Sequence, residues 1–174
     1  MNIKKKSEIF EWLQAILIAV ILALFIRAFV VEIFQVEGES MFPTLYDGER
    51  LAVNKFIYRI GSPQKGDIIV FKYPSDPRLD YIKRVIAVEG DTIEIKEGRV
   101  IVNGQVMKEE YIQGETPGNF GPEKVPENHV FVLGDNRKNS KDSRFPSVGY
   151  IPFRNLKGKA FFVIWPINRW RMLN

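Results

Sequence analysis

The sequence predicts a mainly β protein in which one N-terminal transmembrane helix precedes an antiparallel, barrel-like or folded-sheet domain. Three observations lead to this fold class. The apolar run from Trp12 to Ile26 contains no charged residue. After residue 28, apolar residues no longer recur at helical spacing. Short apolar runs are instead interrupted by Gly, Pro, Asp and Asn, which is typical of short strands joined by turns.

The N-terminal run is predicted to anchor the chain in a membrane. A bilayer span needs roughly 20 mainly apolar residues, and the preceding Lys4–Lys6 favour a cytoplasmic N-terminus. We therefore expect a cytoplasmic tail at residues 1–8, an anchor at 9–28 and an extracytoplasmic domain at 29–174. A cleavable signal peptide is an alternative, but no small-x-small pair follows the run. A buried soluble helix, the other alternative, would need apolar partners on all sides.

The rest of the chain is predicted to form strands. Asn103-Gly104 indicates a two-residue hairpin turn, and the Gly- and Pro-rich segment 114–126 indicates a loop. The expected strands are Phe29–Val36, Arg50–Phe56, Asp67–Tyr73, Tyr81–Glu89, Thr92–Lys96, Arg99–Val102, Gln105–Lys108, Val130–Leu133 and Lys159–Trp165.

Composition excludes several kinds of chemistry. The 174 residues include no cysteine, so disulfides, thiolate nucleophiles and Cys-ligated metal sites are excluded. The single histidine, His129, cannot build a multi-histidine metal site. The net charge of +4 is mostly dispersed along the chain, which indicates a solvated surface and no nucleic acid partner. We expect no metal and no cofactor.

Ser40 is a candidate nucleophile because it lies in a turn directly after a predicted strand. Gly38 permits unusual backbone angles before it, and Pro43 stiffens the chain after it. Such a turn can present a hydroxyl and its own N–H to a substrate carbonyl. Taken alone, the pattern is weak, because a serine in such a turn is usually an ordinary turn residue.

Two residues are candidates for the base that would deprotonate Ser40. His129 would require a Ser-His-Asp triad, but it lies in a predicted turn before a strand. Lys83 would share one face of its strand with Tyr81, Val85 and Ala87, and burial there would lower its pKa. A strand-edge lysine whose ammonium reaches water is the alternative for Lys83.

The third segment of interest, after those of Ser40 and Lys83, is residues 134–144, which are polar and directly follow a predicted apolar strand. Asp142 and Arg144 are expected to pair, and the hydroxyl of Ser140 could bond a neutral lysine amine. The segment lacks the Gly and the terminal Glu of an EF-hand calcium loop. A solvated loop is the alternative interpretation.

Four segments in order, 38–45, 65–71, 81–85 and 134–144, resemble the motif boxes of type I signal peptidases. Their sequences are GESMFPTL, KGDIIVF, YIKRV and GDNRKNSKDSR, and an apolar N-terminal run precedes them. The resemblance covers nearly the whole chain, and its small size is similar to the short bacterial form. It implies a membrane-bound serine endopeptidase that removes signal peptides after Ala-x-Ala sites.

The resemblance also implies roles for individual residues. Ser40 would be the nucleophile and Lys83 the general base. Ser140 would help orient the lysine amine, and Asp142 and Arg144 would form a structural ion pair near the site.

Two further positions matter for the oxyanion and the site's support. Arg84, which follows Lys83 in the sequence, is also expected to support the site. Some members carry a serine at the position of Gly38, where its hydroxyl lines the oxyanion hole. The N–H of Ser40 would carry more of that role here.

The expected partners are secretory preproteins, the lipid bilayer and a nearby protein translocation channel. The expected location is the cell membrane, with a single pass and an extracytoplasmic catalytic domain. Two rival functions stay open at this point. A self-cleaving repressor uses similar Ser-Lys chemistry but carries a DNA-binding domain where this chain has its apolar run. A non-catalytic, membrane-tethered β module would not need Ser40 and Lys83 together.

Overall fold

The structure, a computed structural model, describes the backbone of residues 3–173 and, in the first helix, the side chains of residues 8 and 10–24. Within this described part of the chain the helices are α1 Ile3–Phe29 and α2 Ile57–Ile60, and 3₁₀ turns lie at Phe153–Asn155 and Ile167–Arg169. The strands are β1 Val31–Gln35, β2 Arg50–Asn54, β3 Ile68–Lys72, β4 Asp80–Val88, β5 Thr92–Lys96, β6 Arg99–Val102, β7 Gln105–Val106, β8 Phe120–Lys124, β9 His129–Leu133, β10 Ile151–Pro152, β11 Leu156–Trp165 and β12 Arg171–Met172.

Helix α1 contains the whole of the predicted anchor, 9–28. Across the residues that are described, no helix is both long and apolar enough to cross a membrane. Most of the predicted tail, 1–8, lies outside the residues whose side chains are described. The transmembrane prediction therefore stays a prediction.

The strands form two open antiparallel sheets, which confirms the mainly β class. The large sheet has the order β1-β2-β11-β3-β4-β9-β10, with β12 added to β11, and the small sheet has the order β7-β6-β5-β8. The barrel-like form of the prediction is wrong for the described strands, because neither sheet closes on itself. The chain leaves the large sheet after β4, builds the small one around the predicted Asn103-Gly104 hairpin and returns at β9.

The sequence located most strands but missed those that carry little hydrophobic pattern. The bounds of β5 and β6 match the prediction, and the other predicted strands differ only at their ends. Strand β8, Phe120–Lys124, lies inside the segment predicted as a loop. Its side chains are mostly exposed, so backbone pairing with β5 defines it and apolar alternation does not.

Strand β4 separates the buried clusters of the protein. Ile82 packs against a first cluster around Val36, Met41 and Leu45, whereas Tyr81 and Val85 belong to a cluster on the opposite face. The predicted alternation fails at Ala87, which joins a third cluster together with Ile86. A register shift in the pairing of β4 with β9, between Val85 and Ala87, explains this change of face.

Candidate active site

Ser40 lies on a turn that the hydrophobic core holds in place. Chain direction changes at Gly38, whose φ is +82°, and the N–H of Gly38 donates to Asp47 Oδ1 at 2.7 Å. On the other side of Ser40, Met41 and Leu45 are buried in the first cluster, and the N–H of Leu45 donates to the Met41 carbonyl at 2.9 Å. Ser40 is thereby supported by a packed turn, which restricts where its hydroxyl can point.

The structure brings the hydroxyl of Ser40 together with the amine of Lys83, 43 residues later in the chain. Lys83 Nζ lies 2.8 Å from Ser40 Oγ and donates to the Ile82 carbonyl at 2.9 Å. The residue is only 4% exposed, and its amine lies 5.1 Å from the centre of the Tyr81 ring. Lys83 is therefore the buried alternative of the two predicted from sequence, with Tyr81 as the expected neighbour.

Burial changes the charge state of this lysine. Desolvation lowers the pKa of Lys83 from 10.5 to about 8, because the ammonium loses its water when it is enclosed. The negative charges of Asp142 and Asp135 act in the opposite direction and raise the pKa. At neutral pH and above, a useful fraction of Lys83 is then the neutral amine that a general base requires.

The segment after β9, residues 134–144, is an ordered loop and not a solvated one. Fully buried Asp142 accepts a hydrogen bond from the N–H of Gly134 at 3.0 Å. Arg144 binds both oxygens of Asp142, at 2.8 and 2.9 Å, and donates to the Arg137 carbonyl at 2.8 Å. The predicted Asp142–Arg144 pair is therefore present and closes the loop onto the end of its strand.

Ser140 lies in the same loop, but its predicted contact with Lys83 is not formed. Among the described residues its hydroxyl is buried without a hydrogen-bond partner. A Cβ at Gly134 would overlap both Ser140 Oγ and the Ser40 carbonyl oxygen, so Ser140 packs close to the turn of the nucleophile. The role of Ser140 in orienting the amine stays a prediction.

Arg84 supports the site from the opposite side of β4. Its guanidinium binds both oxygens of Asp135, at 2.9 and 2.8 Å, and donates to the Gly66 carbonyl at 3.0 Å. Asp135 also accepts a hydrogen bond from the Thr44 hydroxyl at 2.5 Å. This buried ion pair connects the strand of Lys83 with the turn of Ser40.

Sequence reasoning missed four residues of this network: Thr44, Asp135, Asn136 and Arg137. The N–H of Asn136 donates to the Ser40 carbonyl at 3.0 Å, and its side-chain amide donates to the Glu39 carbonyl at 3.1 Å. A polar run immediately after an apolar strand was the available signal, but it does not say which carboxylate pairs with which arginine.

His129 takes no part in this arrangement. It begins β9, pairs with Pro152 across the sheet, and its Nδ1 lies 2.6 Å from the Glu127 carbonyl oxygen. It does not line the groove that contains Ser40 and Lys83. Across the described residues, no group of three or more histidines and carboxylates could hold a metal ion.

A groove of about 650 Å³ opens over Ser40 and Lys83. Apolar side chains line one part of it, from the first strand, the Ser40 turn and β4: Ile33, Val36, Met41 and Ile82. Strand β1 forms one edge of the large sheet, since β2 is its pairing partner there. An extended peptide could therefore add to this edge beside the groove.

Comparisons with known proteins agree on one family. The model of the family described as "Signal peptidase, peptidase S26" matches residues 9–165. The chain is 45% identical to signal peptidase I of Leptolyngbya laminosa, over 95% of this chain and 84% of that protein. It is 40% identical to signal peptidase I S of Bacillus subtilis strain 168, over 99% of this chain and 98% of that protein.

A solved structure gives the same result for the fold. The crystal structure of a signal peptidase I from Enterococcus faecalis V583 matches with a TM-score of 0.51 and 30% identity. The match covers 57% of this chain and 97% of that one. On these similarities the chain belongs to the signal peptidase family, peptidase S26, and is a serine peptidase of the type I signal peptidase class.

Proposed function

We propose that this enzyme removes signal peptides from secreted preproteins by cutting after Ala-x-Ala sites, with Ser40 as nucleophile and Lys83 as general base. The contact of 2.8 Å between Lys83 Nζ and Ser40 Oγ carries the proposal. A buried lysine beside a serine hydroxyl has the geometry and the lowered pKa that proton abstraction requires. His129, the other candidate base, lies away from the groove.

The chemistry follows from the position of the lysine amine. A neutral amine has two hydrogens and one lone pair. When one N–H donates to the Ile82 carbonyl, the lone pair can face the Ser40 hydroxyl and accept its proton. Ser40 Oγ then attacks the scissile carbonyl, and the N–H of Ser40 stabilises the oxyanion. Lys83 returns the proton to the leaving amine and next activates the water that hydrolyses the acyl-enzyme.

The groove supports a preference for small side chains. An extended substrate paired with the edge strand β1 would point alternate side chains towards the apolar lining. Met41 is 1% exposed and Val36 is 4% exposed, so both are fixed by the core and cannot easily retreat to admit a large residue. Alanine at alternate positions before the cut fits such a lining.

We also propose that α1 anchors the enzyme in the cell membrane, with the catalytic domain on the outer side near the translocation channel. The described side chains of α1 are exposed, including Trp12 at 72% and Leu24 at 60%. A continuous exposed apolar surface of this kind needs an apolar environment. The bilayer would supply it and would also raise the local concentration of emerging preproteins.

The anchor proposal predicts that the full chain stays in membranes after alkaline carbonate extraction. Replacing Leu17 and Ile21 together by lysine should release it, since a charge at the bilayer centre costs roughly 3 kcal/mol. Protease added outside intact cells should digest the wild-type catalytic domain. Carbonate release of the wild-type chain, or protection from external protease, would contradict the anchor or its orientation.

The dyad proposal predicts that Ser40→Ala and Lys83→Ala each abolish cleavage of a secretory precursor by the detergent-solubilised enzyme. His129→Ala is the control and should keep most of the activity, because its imidazole lies outside the groove. Circular dichroism establishes that each variant is folded. Substantial cleavage by folded Lys83→Ala would remove the lysine from the mechanism, and loss of activity in His129→Ala would revive the triad.

The pH dependence of kcat/KM should follow the charge state of Lys83 in the free enzyme. Because burial lowers the pKa of Lys83 to about 8, activity should fall as pH decreases through that value and the amine becomes protonated. Lys141→Ala is a matched control, because Lys141 lines the same groove and its pKa is raised. The acid limb should therefore remain in that variant. An activity independent of pH between roughly 6 and 10 would argue against Lys83 as the base.

A further inference from the structure

The connection between β7 and β8 contacts two arginines that support the active site. We call residues 107–119 the strap. The guanidinium carbon of Arg84 lies 4.0 Å from the centre of the Tyr111 ring. Glu109 binds Arg137 with both carboxylate oxygens, at 2.5 and 2.9 Å, and accepts a hydrogen bond from the Tyr111 hydroxyl at 2.8 Å. Arg137 also donates to the Thr116 hydroxyl of the strap. The strap thus contacts both guanidinium groups, and Tyr111 and Glu109, which provide two of these contacts, are hydrogen-bonded to each other.

The two arginines in turn hold the first residues of the loop after β9. Arg84 binds the carboxylate of Asp135 through two nitrogens, and Arg137 donates to the Gly134 carbonyl at 3.0 Å. Arg84 is 4% exposed and Arg137 is 2% exposed. Charges buried to this extent keep one geometry only where partners surround them.

Those loop residues contact the turn of the nucleophile directly. Asp135 accepts the hydrogen bond of the Thr44 hydroxyl, and the N–H of Asn136 donates to the carbonyl of Ser40 itself. A continuous series of contacts therefore runs from Tyr111 and Glu109, through two buried guanidinium groups, to the backbone of Ser40.

We propose that Tyr111 and Glu109 are positioning residues of the peptidase reaction. They hold Arg84 and Arg137, and thereby keep the Ser40 turn in its position relative to the Lys83 amine. The inference rests on the proposed role of Ser40 as nucleophile. Its physical basis is that a misplacement of about 1 Å at a reacting group can cost on the order of 100-fold in rate. On this account, the small sheet contributes to catalysis because its strands β7 and β8 hold the strap against Arg84 and Arg137.

Positioning and substrate binding make different predictions for this segment. No residue of the strap lines the groove over Ser40 and Lys83. Loss of the Tyr111 ring should therefore lower kcat while KM for a short Ala-x-Ala peptide stays within about twofold.

The chain offers a matched control in Tyr150. Its hydroxyl also donates to a glutamate, Glu123, at 2.9 Å, and it is also partly buried. Its ring lies against Phe131 and Phe120, at centroid distances of 5.8 and 6.4 Å, and against no arginine of the site. A replacement at Tyr150 therefore measures how much kcat changes when a partly buried tyrosine ring is removed elsewhere in the protein.

The experiment compares full-length, detergent-solubilised Tyr111→Leu, Tyr111→Phe, Glu109→Gln and Tyr150→Leu at a temperature where circular dichroism shows them folded. We expect kcat to fall about tenfold or more in Tyr111→Leu, with the KM of wild type. Tyr111→Phe keeps the ring on Arg84 and should recover kcat to within about threefold, and Tyr150→Leu should match wild type. Glu109→Gln, if it folds, should lower kcat in the same way.

Three results would overturn the inference: a wild-type kcat in folded Tyr111→Leu, an equal loss in Tyr111→Phe, or an equal loss in Tyr150→Leu. Failure of the Ser-Lys proposal is a separate result, because it would appear as cleavage by Ser40→Ala. Tyr111→Leu at full activity alongside an inactive Ser40→Ala would refute the strap and leave the dyad intact.

Discussion

The enclosure of the Lys83 amine beside Ser40 is the constraint on which the rest of the site depends. A lowering of the pKa from 10.5 to about 8 corresponds to roughly 3 kcal/mol of selective destabilisation of the ammonium. The surrounding fold has to hold the amine in this buried position, because a mobile lysine side chain would place its ammonium group in water. Strand β4 fixes the backbone of Lys83 between β3 and β9, and the Tyr81 ring covers part of the side chain.

The ion pairs around the site follow from the same constraint. Asp142 and Asp135 both raise the pKa of Lys83, so an acidic residue near the amine works against its neutral form. Each of these carboxylates is bound through both oxygens by an arginine, Arg144 or Arg84. The loop can therefore be ordered by buried carboxylates while much of their negative charge is compensated by cations other than Lys83.

The sequence predicted most of the fold where local chemistry determines structure. Turn residues and apolar alternation located β5 and β6, and they placed Lys83 beside Tyr81. The predictions failed where backbone pairing or register decides: β8 has an exposed, polar sequence, and the shift after Val85 moves Ala87 to another cluster. The ordered motifs named Ser40 and Lys83, but their contact spans 43 residues and depends on packing that one sequence does not encode locally. The partners of Asp135 and Arg137 could not be predicted from the sequence for the same reason, since each pairs with a residue distant in the chain.

The most direct test of this account is a measurement of the pKa of Lys83 by NMR. Lysine side chains labelled with ¹³C at Cε would be followed as a function of pH in the solubilised enzyme, and the Lys83 signal would be identified by its absence in Lys83→Met. The account predicts that this signal titrates near pH 8, well below the value of about 10.4 that is usual for a lysine side chain in water. A Lys83 signal that titrates near about 10.4 would contradict it, because the Lys83 amine would then be almost entirely protonated at neutral pH.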